Sequence, residues 1–173
     1  MPGPRVKLVL SYDGTEFSGS QRQPGKRTIQ GELERAVGVL ANRPTPVTLA
    51  GRTDAGVHAL GQVAAFEDVR IDLPDDRLLL ALHSLLPDDI AVQSVERVDS
   101  GFDPRHDAKW RAYHYRICNG PMNPLERRHE LYVSQPLDLA AMIEAGEHFG
   151  GEHDFASFCG LGSPAGSPAT NTL

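Results

Sequence analysis

Cysteine, aromatic residues and long apolar runs are all scarce in this 173-residue chain, and each scarcity narrows what the protein can be. The two cysteines, Cys118 and Cys159, stand in no Cys-x-x-Cys or Cys/His grouping. They point to neither a disulfide framework nor a zinc site, and both are expected as reduced thiols. No apolar stretch approaches the roughly 20 residues of a membrane span, and Met1-Pro-Gly-Pro-Arg5 opens no secretory or transit pattern. The expected compartment is the cytoplasm, with no membrane partner. Also missing is an excess of basic charge. The net charge of −6 counts, at first sight, against a nucleic-acid partner.

The charge is unevenly spread. Residues 1–65 carry 8 Lys/Arg against 5 Asp/Glu and residues 101–128 carry 6 against 3, whereas residues 66–100 carry 3 against 9 and residues 129–173 carry 0 against 6. Two locally basic blocks can attract phosphate while the acidic remainder keeps off it; the same blocks also fit ordinary solvated faces. The first basic block contains the stretch with the most chemistry in it, Ala50-Gly51-Arg52-Thr53-Asp54-Ala55-Gly56-Val57-His58-Ala59. An arginine and a carboxylate lie two residues apart between glycines, where one β-like run (47–50) gives way to another (62–66). At period-2 spacing both side chains leave the same side of the backbone, so Arg52 is expected to hold Asp54 ionised and aimed. That arrangement suits a nucleophilic carboxylate. It equally suits a surface Arg–Asp pair in a glycine turn.

The nine residues Gly51 to Ala59 resemble the signature of the TruA family of tRNA pseudouridine synthases. Residue by residue, the resemblance makes Asp54 the catalytic aspartate. The run from Tyr12 to Gln23 is similar to the family's opening, Tyr-Asp-Gly-Thr, a Phe or Tyr, then Gly-Trp-Gln-x-Gln, except that Ser20 occupies the usual tryptophan position. Phe102-Asp103-Pro104-Arg105-His106-Asp107-Ala108 resembles the family's Phe-x-x-Arg-x-x-Ala. The Tyr113-x-Tyr115-x-Ile117 register resembles its second motif, whose first tyrosine packs on the target base. Asp154-Phe155-Ala156-Ser157-Phe158 matches a later Asp-Phe-x-x-Phe segment. The resemblance covers nearly the whole chain but only about two thirds of a typical member, so a fragment is expected. The family's further strands, a basic active-site residue and a last helix have no counterpart.

Taken in order, Arg5 to Tyr12 alternates as a strand with Val6, Leu8 and Leu10 inward, and Asp13-Gly14-Thr15 turns it. Gln21, Arg22, Gln23, Lys26 and Arg27 can reach phosphates and base edges, or form a plain polar loop. Thr28 is a plausible N-cap for a helix whose Ile29, Leu33, Ala36, Val37 and Leu40 form a core stripe, with Pro44 past its end. Gln62 to Phe66 reads as a strand, residues 75–86 as a second helix and Ile90 to Val98 as another strand. His83 in that helix is read as a packed or half-exposed histidine, not a ligand.

This order, strand-helix-strand-strand-helix-strand, gives an α+β, RRM-like split β-α-β domain: an antiparallel sheet with helices on one face and the other face free for RNA. Residues 1–100 form this domain and 101–108 a linker. Residues 109–173 begin a second α/β domain, incomplete, with a catalytic cleft between the two. Lys109 to Cys118 is expected as a strand with Lys109, Arg111, Tyr113, Tyr115 and Ile117 on one face; Tyr113 and Tyr115 also fit cross-strand packing. Asp138 caps a third helix through Phe149 with Leu139, Met142, Ile143 and Phe149 at core spacing. The Gly/Ser/Pro/Ala tract 160–173 is expected to be mobile.

The reaction implied by the resemblance breaks the bond from uracil N1 to ribose C1′, turns the base and joins C5 to C1′. It imports no group and changes no oxidation state, so no cofactor and no metal are expected. Asp54 would add to C1′ or to C6; the residues do not choose between them. The flipped uridine, in tRNA positions 38–40 of the anticodon stem-loop, leaves a space that Arg52 can enter, while Tyr113 stacks on the base. His58, Arg105, Lys109, Arg111 and Tyr115 join the loop residues above as expected RNA contacts. The expected partners are tRNA and a second copy in a homodimer. Two other readings are open: a non-catalytic RNA-binding module, and a carboxylate hydrolase such as a glycosidase. The last would need a second carboxylate facing Asp54, and the nearest in sequence, Glu34 and Glu67, stand in no motif.

Overall fold

The computed structural model describes residues 3–68 and 71–158. Cys159 and the tract 160–173 lie outside the described residues. By contacts the chain divides into two units, Met1–His114 and Tyr115–Leu173; residues 101–108 belong to the first.

The first unit is built on four strands, β1 (Arg5–Tyr12), β2 (Val47–Leu49), β3 (Ala59–Glu67) and β4 (Ile90–Val98), and two helices, α1 (Ile29–Ala41) and α2 (Asp75–Leu85). The strands form one antiparallel sheet in the order β2-β3-β1-β4. β1 runs strictly alternating, with Val6, Leu8, Leu10 and Tyr12 buried and the residues between them part-exposed. Thr28 caps α1, its hydroxyl accepting the Gly31 N–H at 3.2 Å, and the helix ends on Asn42 in the left-handed region at φ 51°. The acidic pair Asp75 and Asp76 opens α2, which has no side-chain cap.

Ile29, Leu33, Ala36 and Val37 of α1 and Leu78 and Leu82 of α2 pack with the inward residues of β1, with Phe66 and with Val92. At about 1.5–3 kcal/mol for each fully buried Val, Leu or Phe, this cluster outweighs the surface ion pairs, each worth about 0–1 kcal/mol. His83 lies outside this cluster and is exposed, its ring held to the sheet by Nε2, 2.6 Å from the carbonyl oxygen of Val92.

Two features differ from what the pattern predicts. The second face of the sheet is not open along its length. Ala64, Ala65 and Phe66 are all fully buried, and successive strand residues point to opposite faces, so both faces are covered there. The segment after β4 supplies part of the cover: Pro104 is fully buried, the Phe102 ring lies 5.9 Å from Lys7 Nζ, and Arg5 donates to the Phe102 carbonyl at 2.9 Å. The predicted strand 109–118 also shrinks. Residues 109–115 have no ladder partner among the described residues, Arg116 offers the later segment only its carbonyl, which accepts the Leu131 N–H at 2.9 Å, and only Ile117–Cys118 is strand. Alternation supplies a strand's two faces, but its hydrogen bonds need a neighbour.

In the second unit, β5 (Ile117–Cys118) pairs in parallel with β6 (Leu131–Tyr132). The helix α3 (Leu139–Glu147) is capped by Asp138, whose carboxylate accepts the Ala141 N–H at 3.0 Å. A 3₁₀ turn follows at Ala156–Phe158. Phe149, Phe155 and Phe158 form a small aromatic group with ring centroids 5.7–6.1 Å apart. Leu139, Met142 and Ile143, spaced as a core stripe, are exposed. No helix among the described residues is long and apolar enough to cross a membrane.

Candidate functional site

Between β2 and β3 the chain carries Gly51 to His58 as a loop held from below by the strands on either side. Gln62 of β3 reaches back to it, donating to the Gly51 carbonyl at 3.0 Å while its side-chain oxygen lies 3.4 Å from the Gly51 nitrogen. Tyr12, at the end of β1, places its hydroxyl 2.8 Å from Thr53 Oγ1. Tyr12 and Gln62 continue the inward-facing sets of their strands, Val6-Leu8-Leu10 and Phe66-Ala64, so polar atoms occupy core positions just where the sheet meets the loop. The register between β1 and β3 slips by one residue here: Leu10 pairs with Gln62 but Tyr12 with Ala59. This bulge at the start of β3 re-aims the strand as it leaves the loop.

The loop rests on the chain after β1. Ser20 is fully buried and pairs with Thr53 twice: its N–H donates to the Thr53 carbonyl at 2.9 Å, and its hydroxyl accepts the Thr53 N–H at 2.8 Å. Gly14 packs so closely on the far end of the loop that a Cβ there would overlap the Val57 carbonyl. Its N–H donates to His58 Nδ1 at 3.2 Å, and Asp13 Oδ1 lies 3.2 Å from the same nitrogen. His58 thus joins the two loops. Asp54 begins a turn closed by the Val57 N–H to Asp54 carbonyl bond at 3.2 Å, with Gly56 at φ 80° in its third position, as a type II turn requires.

Asp54 and Arg52 are both exposed on this turn. The expected ion pair between them is not formed, and neither side chain has a hydrogen-bond or ion-pair partner among the described residues. The period-2 argument assumed a strand, and residues 51–58 are a loop. Arg52 instead lines an open groove of about 510 Å³ together with Gln21, Gly51, Arg105, Arg111 and Tyr113. Asp54 is not among its lining residues. Tyr113 is 73% exposed.

The other expected contact residues divide by whether they already have partners. Arg111 donates to the carbonyls of Ala50 at 2.8 Å and Arg105 at 3.1 Å, tying the segment before Tyr113 to the root of the loop. Arg27 makes a bidentate bridge to Asp89 at 2.8 and 2.9 Å and lies 4.0 Å over the Phe17 ring. The hydrogen-bonded Asp89 carboxylate raises the guanidinium above its usual pKa. Arg22 pairs with Glu34 at 2.8 Å, and Gln23 donates to the Ser18 carbonyl at 2.6 Å. Gln21 stands at the groove; Lys26 and Lys109 show no side-chain partner among the described residues. Tyr115 belongs to the second unit and is exposed there. No three His, Cys, Asp or Glu residues group as metal ligands among the described residues.

Pattern reading missed the residues that hold the loop: Tyr12, Gly14, Ser20, Thr53 and Gln62. For Tyr12 and Gln62 a signal existed, since each is a polar residue continuing an inward-facing strand register. For Ser20 the departure from the family's tryptophan marks the position but not its partner, which lies 33 residues away.

Comparison with known proteins bears on the same stretch. A family model described as tRNA pseudouridine synthase matches residues 8–107, from the middle of β1 through the segment that covers the sheet. The tRNA pseudouridine synthase A of Limosilactobacillus fermentum is 45% identical over 167 residues, covering 94% of this chain and 64% of that protein. The Bacillus subtilis protein of the same name is 46% identical over 158 residues, covering 90% and 64%, and that of Streptomyces avermitilis 46% over 168 residues, covering 90% and 57%. The chain therefore spans somewhat under two thirds of the length of these curated relatives. A match over more than half of this chain, taking in the buttressed loop from Gly51 to His58, means that the chain belongs to the tRNA pseudouridine synthase family.

Proposed function

We propose that the whole protein isomerises uridine to pseudouridine in tRNA, with Asp54 as the nucleophile. The observation that carries this reading is the exposed Asp54 turn, braced by Tyr12, Ser20 and Gln62, whose neighbour Arg52 shares a groove with Arg105, Arg111 and Tyr113. The relatives named tRNA pseudouridine synthase A support tRNA as the substrate. A carboxylate with no internal partner keeps its lone pairs for an incoming sugar or base carbon, as covalent catalysis needs. Arg52, likewise unpaired, can enter the space left by a flipped base, and the exposed Tyr113 ring offers the base a stacking surface.

Arg105 and Arg111 put positive charge at the groove for the phosphates that hold the RNA while its base is unstacked. Gln21, which lines the groove, is proposed as an RNA contact, as are Lys26, Lys109 and Tyr115 on the same reading. Arg22, Gln23, Arg27 and His58 are better supported as residues that shape the loops. The four-stranded antiparallel sheet in the order β2-β3-β1-β4 with two packed helices is consistent with the RRM-like reading, but its second face is partly covered, so the proposed RNA surface is the groove beside Arg52 and not the sheet. Action on positions 38–40 of the anticodon stem-loop, a homodimeric assembly and a cytoplasmic setting belong to the same proposal and rest on the family resemblance.

The test is tritium release from tRNA carrying C5-labelled uridine, because joining C5 to C1′ expels that hydrogen. The whole protein is expected to release label, and Asp54→Ala to abolish release while tRNA affinity stays within about threefold, since a carboxylate offers phosphate no attraction. Retained turnover in Asp54→Ala would reject the nucleophile; a folded, tRNA-binding wild type that releases nothing would reject the activity.

A further inference from the structure

We infer that Ser20 is a positioning residue for Asp54, acting through Thr53; this rests on the reading of Asp54 as the nucleophile. The Thr53 N–H belongs to the peptide plane shared with Arg52, and the Thr53 carbonyl to the plane shared with Asp54. Ser20 bonds both, with its hydroxyl on one and its own N–H on the other, at 2.8 and 2.9 Å. One residue therefore fixes the two planes that set the direction of Arg52 relative to Asp54. Tyr12 adds a third hold at Thr53 Oγ1, 2.8 Å away.

The anchor behind Ser20 is rigid. Its carbonyl accepts the Gln30 N–H at 2.9 Å and the Gly19 carbonyl accepts the Ile29 N–H at 3.4 Å, so two of the N–H groups that the first turn of α1 leaves without helical partners end on this segment. The helix is in turn fixed by Ile29 and Leu33 in the core. A continuous path runs from the core through the start of α1 and Ser20 to the backbone on either side of Thr53, and Asp54 is the next residue.

The chemistry of position 20 is specific. In this chain the space is fully buried and the Ser20 hydroxyl accepts the Thr53 N–H, a bond that the tryptophan usual at this position, a donor only, would not make. Alanine removes the acceptor and leaves a part-buried N–H unsatisfied; cysteine keeps the volume and offers only a weak acceptor. The freed peptide plane can then rotate, and Asp54 loses its aim while its charge and exposure stay as they were. Such a defect belongs to the chemical step and not to RNA binding.

The experiment measures the single-turnover rate and the tRNA dissociation constant of the whole protein for wild type, Ser20→Ala and Ser20→Cys, together with amide hydrogen exchange at Thr53. Ser20→Ala is expected to lower the single-turnover rate by about tenfold or more, leave affinity within about twofold and speed Thr53 exchange; Ser20→Cys falls between it and wild type. An active wild type with an unchanged rate in Ser20→Ala overturns the inference, as does a loss of affinity equal to the loss of rate. If Ser20→Ala does not fold, Ser20→Cys at wild-type rate overturns it alone. A wild type that binds tRNA without forming pseudouridine defeats the functional reading instead, and Thr53 exchange unaltered by the substitution then defeats the clamp separately.

Discussion

The helices α1 and α3 begin alike and end differently. Each has an oxygen-bearing N-cap, Thr28 or Asp138, bonded to a backbone N–H in the first turn, and each carries apolar residues at helical spacing. Yet α1 buries Ile29, Leu33, Ala36 and Val37, whereas no residue of α3 is buried and Leu139 is 67% exposed. The difference lies in what each unit offers as a partner. The first supplies a four-stranded sheet; the second, among its described residues, supplies two paired strands of two residues each, too small a face to cover a helix. Periodicity states which side of a helix can be buried, and the rest of the unit decides whether it is.

Substitutions can break that contrast. Leu33→Ala is expected to cost about 2–5 kcal/mol in urea unfolding, against a change within about 0.5 kcal/mol for Leu139→Ala; comparable losses would mean that α3 is packed in solution. The caps give a smaller, sharper version. Thr28→Ala should lower global stability by about 1 kcal/mol, while Asp138→Ala should show only as faster amide exchange within α3. Smaller again is Asp89→Asn, which removes the charge facing Arg27. Both groups are part-exposed, so the loss should stay below about 1 kcal/mol and shrink in high salt.

The least effect concerns the exposed loop that helps cover the sheet. The N–H groups of His106 and then Arg105 hold the Asp103 carboxyl below its usual pKa. A carboxylate depressed in the folded state stabilises above its unfolded pKa, and that contribution disappears as pH falls through the folded one. Acid titration followed by NMR should therefore loosen residues 103–107 only below the ordinary aspartate range and leave α3 unmoved; loosening near neutrality would contradict the bonding at Asp103.

Much of the first unit could be read from its residues. The bounds of β4 and the start of α2 match the pattern, and α1 begins where Thr28 said it should, because these elements are set by local periodicity and caps. Local rules failed wherever the deciding partner was distant. Nothing near Lys109 says that a ladder is lacking, and nothing near Ala65 says that Pro104 and Phe102 come back over the sheet. The candidate site divides in the same way. The Arg52-x-Asp54 stretch and Tyr113 stand out in the sequence, and the structure brings Arg52 and Tyr113 to one groove. The Arg52–Asp54 pair was mistaken because strand alternation was carried into a loop. The commitments of Arg22, Gln23, Arg27 and Arg111 to internal partners were invisible because each partner is reached only through the fold.

The interlock of Gly14 with Val57 and His58 has a consequence for the order in which the molecule assembles. Gly14 and His58 are 44 residues apart, and they meet only once β1 and β3 lie side by side. Closing so long a loop costs entropy that the later contacts must first repay, which places this junction late in folding. The turn carrying Asp54 is then a product of the finished sheet and not a seed for it. Urea or heat sufficient to part β1 from β3 should extinguish the proposed activity of the whole protein and the sheet signal in one transition, with no intermediate that keeps either alone.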